Sequence, residues 1–474
     1  MTFRYVVHTF GCQMNVHDSG RMTAVLRHAG GVPAAGTGDA DVVVFNTCSV
    51  REKAEQKLRS EVGRLAPLKR SRPDLVVVVA GCVAQQEGKT LLARMPHVDI
   101  VIGPDNVPEL PALLVDRMAG APPAAHTEFD TLAPRFLTAP PPEPGRPPVV
   151  GLVTTMKGCD ERCSFCIVPH TRGPERYRPA SEIVDEARRM VAEGTREVLL
   201  LGQTVDSFRD PALEPPEGDD PDETQFPQLL RALVREVPGL ARLRYTSPHP
   251  RHATESLARA HADLDVLARH VHLPVQSGSD RVLRRMIRRY TRAEYVARAD
   301  RLVRARSGIT LSTDIIVGFP GETRADFEET LSLVREMGFV SLFGFKYSPR
   351  PHTAALRLGD DVSEEVKAER LARLFEVADA IGSAHLSSLV GTRQQVLVEG
   401  PSKRESADAM RVQGRTDRNE IVHIEAAEAA SLVGEIVEVV VARANRHSLV
   451  GVPSDLPPPR LRPRGQVRRL PLYG

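Results

Sequence analysis

Short apolar runs alternate with charged helical stretches over the first 119 residues. The runs RYVVHTF, DVVVFN, LVVVVA and VDIVIG are rich in β-branched residues, a composition typical of buried parallel strands. Between them lie stretches such as REKAEQKLRSEVGRL, which consist largely of charged helix formers. The alternation predicts a doubly wound α/β domain over residues 1–119. The Pro-rich segment 120–148 breaks the pattern, and we interpret it as a linker.

The same alternation resumes at residue 149 and continues to residue 387. Its six strand-like runs are too few for an eight-stranded barrel, so they predict an open (β/α)6 partial TIM barrel. Alternating β patterns over residues 388–451 predict a small antiparallel β-barrel, a shape common among nucleic-acid-binding domains. The basic, Pro-rich segment 452–474 is predicted to be a disordered tail. The expected fold class is therefore α/β with a C-terminal β-barrel.

Charge and hydropathy limit the partners and the cellular location that can be expected for the protein. The formal net charge is only +2, so any binding of nucleic acid must come from local basic patches. No stretch approaches the roughly 20 apolar residues of a membrane span, and the first residues lack the pattern of a secretory signal. We therefore expect a cytoplasmic protein with no membrane contact. In a reducing cytosol, the six cysteines are expected to be metal ligands or catalytic groups before disulfides.

Three cysteines each follow a different predicted strand of the first domain. Cys12 comes after RYVVHTFG, Cys48 after DVVVFNT and Cys82 after LVVVVAG. The carboxyl ends of parallel strands share one edge of a sheet, so these side chains are expected to converge there. The alternative is three unrelated buried thiols, each packing as a small hydrophobe. Their equivalent placement favours a shared metal cluster.

The other three cysteines, Cys159, Cys163 and Cys166, have the spacing C-x3-C-x2-C directly after a predicted strand. Three thiolates are one short of the four that an iron–sulfur cluster or a structural zinc normally takes. His170 could complete a Cys3His zinc site. Two incomplete triads in one chain, however, favour two iron–sulfur clusters with open irons over two zinc sites.

Longer motifs carry a resemblance to a known family. GCDERCSFCIVP resembles the CxxxCxxC signature of radical S-adenosylmethionine (SAM) enzymes. The runs TFGCQMNVHDS, VVVFNTCSVREKAEQK, VVVAGCVAQ, HLPVQSGSDRVLRRMIRRYT, TDIIVGFPGET and FKYSPRPHTAA are similar to the methylthiotransferases. SVREKAEQK resembles their MiaB branch, which modifies tRNA, rather than the RimO branch, which modifies a ribosomal protein. The C-terminal barrel resembles a TRAM domain.

The resemblance implies a chemistry and a cofactor set. Two [4Fe–4S] clusters and SAM are expected. Cys159, Cys163 and Cys166 would be the catalytic residues, holding the cluster that cleaves one SAM to the 5′-deoxyadenosyl radical. Cys12, Cys48 and Cys82 would hold an auxiliary cluster that supplies sulfur, and a second SAM would donate the methyl group.

The resemblance also implies partners. The substrate would be tRNA carrying N6-isopentenyladenosine at position 37, just 3′ of the anticodon, and the product its 2-methylthio derivative. A flavodoxin- or ferredoxin-type electron donor and iron–sulfur assembly proteins are further expected partners.

Several polar residues near predicted strand ends are candidates for binding SAM. They are Arg178, Gln203, Gln276, Ser277, Ser279 and Asp314. Arg178 could instead cap the following helix, and Asp314 could instead be a polar partner within the core.

RNA contacts are expected in the run RVLRRMIRRYTRAEYVARADRLVRAR, which contains ten Arg and two acidic residues. Because guanidinium groups suit phosphate, Arg284, Arg285, Arg288 and Arg289 are predicted to contact RNA. The alternative is an ordinary solvated helix face.

A few residues depart from the family pattern, and two other functions stay open. Thr204, Asp206 and Phe208 in GQTVDSF, Pro248 in TSPHP and His352 in SPRPHTAA stand where the family usually differs. They put the details of the SAM or base pocket in doubt. The open alternatives are a methylthiotransferase for threonylcarbamoyl-adenosine tRNA or a ribosomal protein, and a non-catalytic zinc-stabilised RNA-binding protein.

Overall fold

A computed structural model describes residues 2–50, 52–131, 134–138, 147–402, 411–425 and 429–454. The chain divides into two compact units, Met1–Gly382 and Ser383–Gly474. Among the helices of these described segments, none is both long and apolar enough to cross a membrane.

Six parallel strands form the sheet at the start of the first unit, in the order β2-β1-β3-β4-β5-β6. The strands are β1 (Phe3–Phe10), β2 (Gly31–Pro33), β3 (Val42–Thr47), β4 (Val76–Gly81), β5 (Ile100–Ile102) and β6 (Ala124–His126). The helices are α1 (Gln13–His28), α2 (Glu52–Arg64), α3 (Ala66–Ser71), α4 (Cys82–Glu87), α5 (Lys89–Arg94) and α6 (Leu110–Met118).

Helices cover both faces of this sheet, as predicted. Val42 and Val44 of β3 pack with residues of α1 and α6 on one face. Val43 and Phe45 of the same strand pack with residues of α2 and α4 on the other. Alternate side chains of these strands therefore pack into two separate cores, one on each face of the sheet. This explains why the strands are apolar along most of their length.

The prediction of a linker from residue 120 is wrong at its beginning. Residues 124–126 form β6, the edge strand of the sheet, which pairs in parallel with β5. Leu137 also packs against the core formed by α1 and α6. A three-residue AAH strand between prolines carries almost no periodic signal, so the Pro content dominated the sequence pattern.

The second part of this unit is the predicted partial barrel. Its parallel strands pair in two rows, β11-β10-β7 and β12-β13-β14, and a bridge between Leu243 and Leu267 links the rows. The strands are β7 (Val150–Thr154), β10 (Glu197–Leu201), β11 (Arg242–Tyr245), β12 (His270–His272), β13 (Thr310–Val317) and β14 (Ser341–Lys346), with a small antiparallel pair, β8 (Met156–Lys157) and β9 (Arg176–Tyr177). The helices are α7 (Val168–Arg172), α8 (Ala180–Ala192), α9 (Phe226–Glu236), α10 (Glu255–Asp263), α11 (Asp280–Arg285), α12 (Arg292–Ala305), α13 (Arg324–Met337) and α14 (Glu364–Ser388).

The second unit contains a closed barrel with the strand order β15-β16-β17-β19-β18. The strands are β15 (Arg393–Pro401), β16 (Arg411–Arg415), β17 (Ile421–Glu425), β18 (Ile436–Ala444) and β19 (Leu449–Pro453). The small barrel is thus confirmed, but β17 and β19 pair in parallel, unlike the other neighbours. The last strand runs past the predicted end at residue 451. The predicted tail lies outside the described residues from 455 onward.

The core of the partial barrel allows a prediction about the stability of the protein. Leu331 of α13 is fully buried in the core that fills the partial barrel. We expect Leu331→Ala to lower the free energy of unfolding by about 2–5 kcal/mol, because it removes apolar contacts and leaves a cavity. Leu356, which is 46% exposed, provides the control, and Leu356→Ala should change the value by no more than about 0.5 kcal/mol. Urea denaturation followed by circular dichroism measures both, and equal shifts would contradict the packing described.

Candidate functional site

The three N-terminal cysteines converge at one edge of the first sheet. Cys12 caps the amino end of α1 after β1, Cys48 directly follows β3, and Cys82 begins α4 after β4. Strands β1, β3 and β4 are neighbours in the sheet, so their carboxyl ends lie side by side. The Cys12 and Cys48 side chains are hydrogen-bonded, and Cys82 interacts electrostatically with Cys48. The structure therefore brings this triad together as the strand ends predicted.

Close approach of these loops requires glycine at two positions. Gly81 has a φ of +90°, and a Cβ atom there would lie 2.8 Å from the Thr47 carbonyl oxygen and closer still to Asn46 Oδ1. Gly11 has a φ of +143°, and its Cβ would lie 2.5 Å from Cys48 Cβ. Both glycines adopt backbone conformations that favour glycine over other residues.

A buried amide network supports this edge and was missed by sequence reasoning. Asn46 Nδ2 donates to the Asn15 carbonyl oxygen at 2.8 Å and to Ser19 Oγ at 3.0 Å. Asn15 Nδ2 donates in turn to Asn46 Oδ1 at 3.1 Å. The available signal was an asparagine directly after the apolar run VVVF of strand β3, two residues before Cys48.

The thiols of this triad differ in acidity. The hydrogen bond with Cys48 lowers the pKa of Cys12 to about 6, and the same pairing raises the pKa of Cys48. Cys12 is therefore largely a thiolate at neutral pH, the form in which cysteine binds metal. Cys48 and Cys82 are only 2% and 6% exposed, so a group bound here is shielded from water.

The central triad lies in a loop closed by the β8–β9 pair. Gly158 has a φ of +81°, and its N–H donates to Gln203 Oε1 at 2.6 Å. Cys159 Sγ lies 3.1 Å from Thr204 Oγ1, and the Cys166 N–H donates to the Cys163 carbonyl oxygen at 3.0 Å. These bonds anchor the loop to the carboxyl end of β10.

Burial raises the pKa of Cys159 and of Cys166 to about 12 each. In the metal-free chain both are therefore neutral thiols, and binding of a metal cluster must release their protons.

Helix α11 holds this loop in place. The Ser164 N–H donates to the Met286 carbonyl oxygen at 2.9 Å, and Ser164 Oγ donates to the Arg285 carbonyl oxygen at 2.8 Å. The arginine-rich run therefore begins as a support of the cysteine loop.

The position of Arg288 contradicts one of the predicted RNA contacts. Its side chain is buried, and its Nη1 donates to Cys163 Sγ at 3.3 Å. Its remaining donors bind the Tyr290 hydroxyl and the Pro274 carbonyl oxygen. A guanidinium engaged in this way does not reach phosphate, so the prediction of RNA contact is wrong for Arg288.

The other predicted RNA contacts differ in exposure. Arg284 is exposed, and the Arg289 side chain is 48% exposed, 4.0 Å from Glu161 Oε2. Arg285 is half-buried and donates to the Pro320 carbonyl oxygen at 2.9 Å. Contact of these three residues with RNA stays a prediction, and Arg284 and Arg289 are placed best for it.

Each triad presents three thiol groups, a donor set that fits an iron–sulfur cluster with one open iron. Across the described segments, no three His, Cys, Asp or Glu side chains are arranged to hold a single metal ion. The ring of His170, the fourth ligand of the zinc alternative, lies beside the ring of His352, with centroids 5.7 Å apart. A cubic cluster spreads three thiolates over separate irons, and each triad offers that donor set.

Arg172 links the two triads and was not singled out by sequence reasoning. It ends α7, the helix directly after the cysteine loop, and its Nε donates to Cys82 Sγ at 3.3 Å. Its Nη2 donates to Asp18 Oδ2 at 2.7 Å. The available signal was an arginine six residues after the last cysteine of the CxxxCxxC motif.

Most of the candidate SAM residues lie at the carboxyl ends of barrel strands. Gln276 has a φ of +78°, and its N–H donates to the Asp314 carbonyl oxygen at 2.9 Å. The Asp314 side chain is half-buried, 3.4 Å from His272 Nε2, so it is not a core partner. Ser277 Oγ lies 3.3 Å from Thr330 Oγ1, and Ser279 Oγ donates to Asp326. These bonds of the serines fix the turn, and Gln203, Gln276, Ser277 and Asp314 stay predictions as ligand contacts.

Arg178 is not available to SAM. It is 2% exposed, and its guanidinium donates to Glu182 and Glu186 of α8. Arg21 of α1 donates to the other oxygen of Glu186 at 2.9 Å. Arg178 does not cap the following helix either, since Pro179 is the N-cap of α8. It pairs instead with the Glu182 and Glu186 carboxylates, because a buried guanidinium requires carboxylate partners.

Asp206, one departure from the family pattern, contacts His249, the residue that follows a second departure, Pro248. The His249 N–H donates to Asp206 Oδ1 at 2.8 Å. Asp206 Oδ2 and His249 Nε2 are both buried and have no hydrogen-bond partner within the described residues. Burial raises the pKa of Asp206 well above its ordinary value and lowers the pKa of His249 well below its own. Burial therefore disfavours the charged form of both groups, and each has one buried polar atom that can bind a polar ligand.

Three family models match the chain in succession. They are Uncharacterized protein family UPF0004 over residues 4–103, the radical SAM superfamily over 153–334 and the TRAM domain over 387–453. The predicted radical SAM barrel and TRAM domain are thereby confirmed, whereas the predicted domain boundaries stay predictions apart from the start of the linker and the end of the barrel, which the structure corrects.

Curated relatives match almost the entire chain. It is 65% identical over 474 residues to a protein named tRNA-2-methylthio-N(6)-dimethylallyladenosine synthase from Sorangium cellulosum (strain So ce56), covering 97% of this chain and 95% of the relative. It is 44% identical to a protein of the same name from Bordetella petrii (strain ATCC BAA-461 / DSM 12804 / CCUG 43448), covering 94% of this chain and 90% of the relative.

Solved structures share the fold. The cobalamin-dependent SAM radical enzyme OxsB matches with a TM-score of 0.51 at 12% identity, over 80% of this chain and 56% of that chain. The radical SAM methyltransferase TsrM from Kitasatospora setae matches with a TM-score of 0.51 at 17% identity, over 83% of this chain and 77% of that chain. At these identities the likeness shows the fold alone.

The glycine next to Cys82 provides a test of the N-terminal triad. We expect Gly81→Ala to displace Cys82, because the added Cβ collides with the backbone of Thr47. Iron and sulfide bound by a chain that carries only this triad should fall at least fivefold after anaerobic reconstitution. Gly63→Ala is the control, since a Cβ there meets nothing within 4 Å in helix α2. Undiminished iron binding by Gly81→Ala would contradict the close approach of the three loops.

Proposed function

Because the chain belongs to the tRNA-2-methylthio-N(6)-dimethylallyladenosine synthases, we propose that it methylthiolates C2 of N6-isopentenyladenosine at position 37 of tRNA. The observation that carries the proposal is the pair of cysteine triads in one unit, each one thiolate short of four, with Arg172 from the helix after the second triad donating to Cys82 of the first. A cytoplasmic location agrees with free thiols and a tRNA substrate.

Each triad is proposed to hold one [4Fe–4S] cluster. Cys159, Cys163 and Cys166 would ligate the cluster that meets SAM, and Cys12, Cys48 and Cys82 the auxiliary cluster. When bound, these groups would supply the electron, the radical, the sulfur and the methyl group that an unactivated C–H bond requires. The protein's part is to hold and orient them and to keep water out, in keeping with the burial of Cys48, Cys82 and Cys159.

The carboxyl ends of β10 and β11 are the proposed SAM side of the pocket. Gln203 fixes the cysteine loop through the Gly158 N–H, and Thr204 lies against Cys159. Asp206 and His249 offer one unpartnered polar atom each in the same region. A neutral carboxyl group and a neutral imidazole both accept and donate hydrogen bonds, so they suit the polar groups of SAM or of the adenine. Gln276 and Asp314 remain proposed contacts across the barrel.

RNA binding is proposed to use two regions, each described by itself. The TRAM match and the closed barrel of the second unit support a nucleic-acid-binding module. Arg284 and Arg289 of the first unit present exposed guanidinium groups near the cysteine loop, and they are proposed phosphate contacts. The target base would leave its stack to reach the buried site. A flavodoxin- or ferredoxin-type protein and iron–sulfur assembly proteins are the proposed further partners.

Nucleoside analysis tests the substrate. In tRNA from a strain lacking this protein, we expect the 2-methylthio-isopentenyl nucleoside to be lost and N6-isopentenyladenosine to accumulate. The intact gene should restore the product, and a Cys159→Ala copy should not. Loss of a methylthiolated threonylcarbamoyl nucleoside, or of a modification on a ribosomal protein, would instead support the alternative substrates. An unchanged nucleoside profile would contradict the proposed substrate.

Separate cysteine variants test the division of labour. We expect Cys159→Ala to abolish SAM cleavage, because the cluster that meets SAM loses a ligand. Cys48→Ala should still cleave SAM but form less than about 1% of the methylthiolated product. Iron and sulfide analysis of each anaerobically purified variant, beside the unaltered protein, should show that each loses one of two clusters. Full product formation by Cys48→Ala, or zinc in place of iron, would contradict the assignment.

A further inference from the structure

Arg172 is the one buried cation in the described residues that touches a cysteine of one triad while standing on the helix that follows the other. It is 5% exposed. Its Nε donates to Cys82 Sγ at 3.3 Å, and its Nη2 donates to Asp18 Oδ2 at 2.7 Å. Its carbonyl oxygen accepts a bond from Arg176 Nη2 at 2.7 Å. Side chain and backbone are thus both fixed.

Asp18 holds the guanidinium in this orientation. It lies on α1, whose amino end is capped by Cys12. Burial alone would raise the pKa of Asp18, but the Arg172 guanidinium and the hydrogen bond with His17 lower it below its usual range. The carboxylate is therefore charged and binds Nη2 of the planar Arg172 guanidinium, while Nε of the same group donates to Cys82.

We propose that Arg172 is a positioning residue that couples the two cluster sites. It fixes Cys82 relative to the CxxxCxxC loop and places its positive charge against a sulfur of the N-terminal cluster. Hydrogen bonds and positive charge at a ligating sulfur stabilise the reduced cluster, so Arg172 raises the reduction potential at that site. The inference rests on the proposed function, because it requires a cluster on Cys12, Cys48 and Cys82.

Arg288 is the buried arginine at the central triad, but its hydrogen bonds do not connect that triad with the first sheet. It donates to Cys163 Sγ at 3.3 Å, and its other bonds go to Tyr290 and Pro274 in the same barrel. Arg172 alone of the two connects the barrel with the first sheet.

The first measurement isolates the N-terminal cluster. Cys159, Cys163 and Cys166 are replaced by Ala together, and Arg172→Gln and Arg172→Lys are added to that background. After anaerobic reconstitution, iron is counted and the midpoint potential is determined by a redox titration followed by electron paramagnetic resonance. We expect a lower potential for Arg172→Gln and a smaller shift in the same direction for Arg172→Lys, which keeps the charge. The Lys variant supplies the comparison if Arg172→Gln binds no iron.

A matched control separates a specific effect on the reduction potential from a general structural effect. Arg21 is also buried and also joins the first sheet to the barrel, through Glu186, yet it contacts no cysteine in the described residues. Arg21→Gln should leave the midpoint potential unchanged. In the otherwise unaltered chain, Arg172→Gln should keep SAM cleavage within about twofold and lower methylthiolation at least tenfold.

The outcomes distinguish this inference from the proposed function. If the parent with only the N-terminal triad binds no iron, the proposed function fails and the inference fails with it. If the parent binds iron but neither Arg172 variant shifts the potential, the inference alone is overturned. An equal shift in Arg21→Gln would overturn it as well, since a general structural effect would then explain the change.

Discussion

The buried ion pair between Arg172 and Asp18 is the interaction on which the arrangement of the site depends. A guanidinium removed from water is costly unless a carboxylate and further acceptors satisfy its donors, and removing one partner of such a pair costs about 3–5 kcal/mol. Here the acceptors are Asp18 and the sulfur of Cys82, both on the first sheet domain, while the donor belongs to the cysteine loop's helix. The pair therefore ties the helix that follows the cysteine loop to α1 and to Cys82 of the first sheet domain.

The sequence could predict the features of this site that follow from strand topology, but not those that depend on tertiary partners. Convergence of Cys12, Cys48 and Cys82 follows from topology, because parallel strands end at a common edge whatever the side chains do. The role of an arginine does not follow in this way. Arg172, Arg178 and Arg288 look in sequence like any solvated arginine, and only the tertiary position of a carboxylate or a thiol makes each of them a buried partner. The edge strand β6 was missed for the opposite reason, since three residues are too few to display a period.

The contact between Asp206 and the turn TSPHP shows how two local departures become one feature. In sequence, Asp206 and the lengthened turn TSPHP are separate changes. In the fold, the turn brings the His249 N–H onto the Asp206 carboxyl group. Because this carboxyl lies fully buried and faces Glu161 and Glu175 electrostatically, its charged form is disfavoured. A neutral acid beside the cysteine loop can donate a hydrogen bond, which a carboxylate cannot.

Charge balance explains why each triad has one guanidinium at a sulfur. A cluster held by three thiolates brings net negative charge into a region that excludes water, and burial of that charge without compensation is unfavourable. At the central triad of the metal-free chain the problem is absent, because Cys159 and Cys166 are neutral thiols with pKa values of about 12. There it would arise only when protons leave and a metal group enters. Arg288 at Cys163 and Arg172 at Cys82 place positive charge at those points, so the fold already contains counter-charge for the clusters proposed to bind there.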